Sequence, residues 1–300
     1  MEIIQASCGC RNYFQPFLNS RIFNTSRIDA ANYHYRFLPR SIFPSLSSLG
    51  LSRNESVLST ATQALFGNST SDSVATEVAE VDRFLAIKKR AAEISPSLKG
   101  TSIFLVGINS SFKSSLGKIL ADALRYYYFD SDNLVEEAAG GKTAAISYLE
   151  RDEVGFLASE TEVLKQLSSM GRLVVCAGNG AVKDATNLAL LRHGISIWIN
   201  VPLDLVAREI VKDGIQLSAT DMLLSGSSPE VLAQLNTLYE CRRSGYATAD
   251  TTISVQKVAS ELGYNELDAV SAEDLCMEAL KEIENLMRAK KMMEEAARPF

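Results

Sequence analysis

The sequence predicts an α/β domain in which a five-stranded parallel sheet carries helices on both faces. Two observations predict it. Five short apolar runs rich in β-branched and aromatic residues recur between residues 101 and 255. Stretches with apolar residues at helical spacing lie between them, and strands separated by helices imply βαβ crossovers and a covered parallel sheet. The simplest division of the chain is residues 1–60 as an N-terminal extension, 61–94 as linker and approach helix, and 95–300 as one domain.

The elements follow in order. Residues 81–94 place apolar side chains at helical spacing, and Pro96 and Gly100 are the expected stop. Thr101–Val106 is the first strand and Ser114–Leu124 the helix after it. Tyr126–Phe129 is the second strand, followed by helices at Asn133–Ala139 and Glu153–Met170. Leu173–Ala177 and Ile195–Val201 are the third and fourth strands. Helices follow at Leu203–Val211 and Pro229–Arg243, with the fifth strand at Thr251–Val255. Ala272–Arg298 is a long Met-, Lys- and Glu-rich helix, read as an amphipathic cover for the sheet, with partner docking as the alternative.

Charge separates the extension from the domain. The 300 residues carry a net charge of −6. Residues 1–60 hold six arginines, no lysine, three acids and ten serines, hence +3, which leaves −9 for residues 61–300. An Arg- and Ser-rich, acid-poor N-terminus has the composition of an organelle transit peptide, with a plain disordered tail as the alternative. Composition does not separate plastid from mitochondrion. Residues 61–80, rich in Ser, Thr, Ala and Asn, read as linker. The acidic balance argues against nucleic acid or an anionic membrane as main partner. No apolar run reaches the 18 or so residues of a membrane span. Five scattered cysteines and two histidines argue against a disulfide framework and a zinc site. Cys176 reads as a small core residue.

The loop after the first strand carries the main chemical signal. Residues 107–114 read Gly-Ile-Asn-Ser-Ser-Phe-Lys-Ser. The phosphate-binding pattern is G-x-x-x-x-G-K-[ST]. Gly107, Lys113 and Ser114 fit, and Phe112 replaces the second glycine. In such a loop, backbone N–H groups and a helix N-terminus wrap phosphate, the lysine reaches the outer phosphates and the hydroxyl ligates magnesium. An aromatic residue at the glycine position crowds the phosphates and strains the loop if its φ is positive.

From about residue 84 to 262 the chain resembles plant shikimate kinases. The segment from Lys99 to Gly107 matches the entry to that family's P-loop, and residues 117–121 continue its first helix. Residues 129–132, Phe-Asp-Ser-Asp, resemble the family's F-x-D-x-D, which implies Asp130 near magnesium and Asp132 on shikimate hydroxyls. Residues 177–181 resemble its Gly-rich shikimate loop, with Gly178 and Gly180 retained. Leu238, Tyr239 and Arg242, followed by Tyr246 and Asp250, resemble a late segment whose arginine binds the shikimate carboxylate. The resemblance implies a P-loop kinase fold with a mobile lid segment.

The same comparison marks departures where the chemistry would occur. Ser110 and Phe112 stand at two glycine positions. Leu157 stands where the family has a shikimate-binding arginine, and Asn179 where it has the middle glycine. Asp221 stands at the lid arginine, and no arginine lies between Arg208 and Arg242. Glu209 occupies the second position of an adenine-side arginine pair. Phosphoryl transfer depends on positioning and positive charge, and an arginine finger is worth about 10³–10⁵ in rate. The expectation is an inactive shikimate kinase homologue of the plastid, with a non-catalytic role in chloroplast biogenesis. It would act by binding a plastid protein or a small anion. No cofactor is required, although residual Mg-ATP binding stays open. The alternatives are a small-molecule kinase with an altered acceptor, or an ATP or metabolite sensor without turnover. Individual residues also have plainer readings: Asp130 and Asp132 as helix caps, Lys113 as a solvated lysine, Gly178 and Gly180 as turn residues, and Arg242 as a surface residue paired on its own helix.

Overall fold

The computed structural model describes residues 71–213 and 227–297, with side chains from 81 onward. Five strands form one sheet: β1 (Ile103–Val106), β2 (Tyr127–Asp130), β3 (Leu173–Cys176), β4 (Ile195–Asn200) and β5 (Thr251–Ser254). Their order across the sheet is β2-β3-β1-β4-β5, and every pairing is parallel. β1 and β3 are buried along their whole length, as expected for a central strand covered on both faces.

The helices are α1 (Ser71–Leu98), α2 (Ser111–Leu124), α3 (Ser131–Ala139), α4 (Lys142–Arg151), α5 (Glu153–Ser168) and α6 (Ala185–Leu191). α7 (Leu203–Asp213), α8 (Ser228–Tyr246), α9 (Val255–Leu262) and α10 (Ala272–Ala296) complete the described set. α1 buries Ile87, Ala91, Ile94 and Leu98, a run at helical spacing that packs on the core. α10 lies beside it, and the pairs Arg83–Asp274 and Arg90–Glu284 set the two helices parallel.

Several boundaries differ from the sequence reading. α1 begins at Ser71, inside the stretch read as linker. α1 also runs through Pro96 to Leu98 and stops where Lys99 and Gly100 adopt positive φ. α4, α6 and α9 were not anticipated. They are short, and α4 buries only Ala145, so its apolar pattern is faint. The expected lid segment, with Asp221, lies outside the described residues.

Chain direction sets where a ligand site can form. The link after β1 runs toward β2 on one side, and the link after β3 runs toward β4 on the other. The carboxyl ends of β1 and β3 therefore flank a topological switch point, the usual crevice for ligands in open α/β sheets. Asp250 fixes the far edge of the sheet, where its Oδ2 accepts from the Ser196 backbone N–H and hydroxyl at 2.7 and 2.8 Å.

A candidate phosphate site filled from within

The crevice between β1 and β3 is bridged by one side chain. Lys113, on the first turn of α2, is 2% exposed. Its ammonium donates to Gly107 O at 3.0 Å, at the end of β1, and to Ala177 O at 2.7 Å, just past β3. It also donates to Asn109 Oδ1 at 2.6 Å. An ammonium has three donors, and all three are used inside the protein. The plainer reading of Lys113 as a solvated lysine is therefore wrong, because the strand-end carbonyls draw it inward.

The backbone of the loop is closed in the same way. α2 starts at Ser111 rather than at Ser114, because Ser110 acts as N-cap and accepts the Lys113 N–H. Phe112 is thus a helical residue with negative φ, packed against the core, so the strain expected there is absent. Gly107 has φ +132, and a Cβ there would lie 2.4 Å from Ile199 O, so only glycine fits. The Ser111 N–H donates to Glu209 Oε1 at 2.7 Å, which puts a carboxylate at the helix N-terminus.

The second strand end supplies two aspartates with different duties. Asp130 caps α3, where its Oδ1 accepts from Asp132 N and Asn133 N at 3.0 and 3.2 Å. Asp132 accepts from Asn109 Nδ2 at 2.9 Å, which extends the chain Lys113–Asn109–Asp132 across the crevice. Asp132 also fills the space over Gly178, where an added Cβ would sit 1.7 Å from its Oδ1. Gly178 N donates to Ser131 Oγ at 2.9 Å, so the Gly-rich loop is pinned to the start of α3.

Asn179 is a buried structural residue, 3% exposed. Its Oδ1 accepts the Tyr246 hydroxyl at 3.2 Å, and Tyr246 stacks on Trp198 with ring centroids 5.9 Å apart. At Gly180 an added Cβ would lie 2.4 Å from Oε2 of the buried Glu160, so a larger residue there would push that carboxylate aside. Leu157 is half-buried on α5. Arg242 is half-buried on α8, and its Nε is buried without a hydrogen-bond partner among the described residues. The structure therefore brings Gly107, Lys113, Asp130, Asp132, Gly178 and the Asn179 loop to the carboxyl end of the sheet.

Several groups that would serve magnesium and nucleotide are engaged inside the chain. Ser114, the expected metal hydroxyl, lies on α2 near the Tyr128 hydroxyl. Asp130 has a capping role, the Lys113 ammonium is saturated, and Glu209 holds a helix N–H that a phosphate needs. Beside them, burial pushes the Cys176 thiol up to about 11, against the pull of the Lys113 charge. Burial likewise raises the Tyr128 hydroxyl, with Cys176 adding to the shift. Sequence reasoning did not single out Asn109, Tyr128 or Trp198. Nothing local marks Asn109, since its role appears only when the β1 loop and Asp132 meet.

The chain also has known relatives. The family model for shikimate kinase matches residues 109–283. The Arabidopsis thaliana protein "Probable inactive shikimate kinase like 1, chloroplastic" is 56% identical over 230 residues, covering 77% of this chain and 79% of that protein. "Shikimate kinase 2, chloroplastic" of Oryza sativa subsp. japonica is 39% identical over 211 residues, covering 69% of this chain and 68% of that one. Among solved structures, shikimate kinase from Acinetobacter baumannii in complex with shikimate aligns with a TM-score of 0.52 at 28% identity. The match covers 65% of this chain and 97% of that structure. With its five-strand parallel sheet and its matched domain, the chain belongs to the shikimate kinase family.

Proposed function

We propose that this protein is a catalytically inactive shikimate kinase homologue of the chloroplast, acting by binding rather than by phosphoryl transfer. One observation carries the reading: the lysine that would hold the transferring phosphate spends all three of its donors on Gly107 O, Asn109 Oδ1 and Ala177 O. Catalysis by this route rests on positive charge directed at the transferring group. Here that charge is directed at the protein's own carbonyls. The departures at Ser110, Phe112, Leu157, Asn179 and Asp221 agree with it.

The chloroplast assignment draws on the names of the two plant relatives and on the Arg- and Ser-rich first 60 residues, read as an import peptide. No helix among the described residues is long and apolar enough to cross a membrane. A plastid protein or a small anion is the expected partner, in a role in chloroplast biogenesis, with no cofactor required. The test is turnover. The purified chain is mixed with Mg-ATP and shikimate, and shikimate 3-phosphate is followed by mass spectrometry beside a plant shikimate kinase. Product at or below the Lys113→Ala background supports the proposal. Product at rates comparable with the control enzyme overturns it.

A further inference from the structure

The N-terminus of α2 already holds an anion, and that anion belongs to the protein. Glu209, on α7, accepts the backbone N–H of Ser111 through Oε1 at 2.7 Å. The contact joins residues 98 apart in sequence and brings α7 onto the first turn of the helix. We propose that Glu209 is a built-in occupant of the phosphate cradle, a carboxylate that takes the place of a phosphate group and keeps free phosphates out.

Three features of the contact support this. First, a helix N-terminus favours negative charge, so the carboxylate is bound by the same dipole and N–H groups that would bind phosphate. Second, among the described residues no lysine or arginine forms an ion pair with Glu209, so the helix end is the positive pole it faces. Its Oε2 is buried without a hydrogen-bond partner, which leaves Ser111 N–H as the bond that orients the group. Third, the neighbouring donors are also engaged inside the chain: Lys113 N–H with Ser110 Oγ, Ser114 N–H with Ser110 O, and the Lys113 ammonium with its three acceptors. An incoming phosphate would have to displace Glu209 and also approach its charge closely.

The inference rests on the reading that the cradle is out of catalytic use, but it fails separately from it. A chain without turnover can still bind phosphates, and the variants below distinguish the two. The full chain, Glu209→Ala and Glu209→Gln are titrated with inorganic pyrophosphate by calorimetry, after circular dichroism has shown that each is folded. Glu209→Gln keeps the shape and volume of the side chain, so it stands in if the alanine variant loses its fold. The proposal expects both variants to bind pyrophosphate roughly 10- to 100-fold more tightly than the unaltered chain, the factor that corresponds to one charge-assisted hydrogen bond. Equal affinity in all three proteins, or no gain in either folded variant, overturns it.

Discussion

Replacing Lys113 by methionine should destabilise this protein, whereas the same change in an open phosphate loop should cost little. Methionine keeps most of the apolar stem and removes the three donors. Gly107 O and Ala177 O are buried strand-end carbonyls and would lose a partner each. Asn109 Oδ1 is partly exposed and can turn toward water. A buried acceptor left without a donor costs about 1–3 kcal/mol, so the two carbonyls together account for about 2–6 kcal/mol. Removing a buried ammonium returns part of this through relieved desolvation. The net expectation is a loss of about 2–4 kcal/mol. Urea unfolding measures it as a lower midpoint at unchanged slope, since an unchanged slope shows that the folded and unfolded states expose the same surface as before. A midpoint that stays the same or rises would refute the reasoning, because Lys113 would then be a solvated cation facing an open cradle.

Two further predictions concern buried thiols and the Asn179–Tyr246 contact. Burial raises the thiols of Cys176 and Cys276 from an ordinary value of 9.0 to about 11 and about 12. A raised acid holds its proton in the folded state while the unfolded chain has lost it. Stability is therefore full below pH 9 and falls as pH rises toward 11 and 12. Cys176→Ala should flatten part of that fall in denaturation series at stepped pH, and an unchanged slope would contradict the assignment. The Tyr246–Asn179 bond should show as coupling: Tyr246→Phe and Asn179→Ala each cost about 1–2 kcal/mol, and the double variant costs about 1 kcal/mol less than their sum. Strict additivity in thermal unfolding would mean that the hydroxyl and the amide are satisfied elsewhere.

The fold was legible because its strands are short, apolar and bounded by glycines and helical stretches. Thr101–Val106 and Leu173–Ala177 need no alternation because both faces of the sheet are covered, and the structure buries β1 and β3 throughout. The positions of the site residues were legible for the same reason: Gly107, Asp130 and Gly178 follow strand ends, and strand ends converge at the switch point. The interactions they make were not. That Lys113 folds back depends on Ala177, 64 residues away, and that Ser111 is capped depends on Glu209, 98 residues away. Neither pairing leaves a trace in local spacing. Phe112 was misjudged because a glycine-to-aromatic change was weighed against an open loop, whereas the Ser110 cap extends α2 and gives Phe112 an ordinary helical backbone. The short helices escaped because they carry too few buried positions to show a period.

The account turns on whether the phosphate cradle is filled by the protein itself. Equilibrium dialysis of the full chain against labelled Mg-ATP tests this most directly, with a plant shikimate kinase as positive control. The account predicts no saturable binding across the range of about 1 μM to 1 mM in which enzymes usually take up their substrates. Saturable binding in that range, lost in Lys113→Ala, would show that Lys113 and Glu209 leave the cradle open to nucleotide and would contradict it.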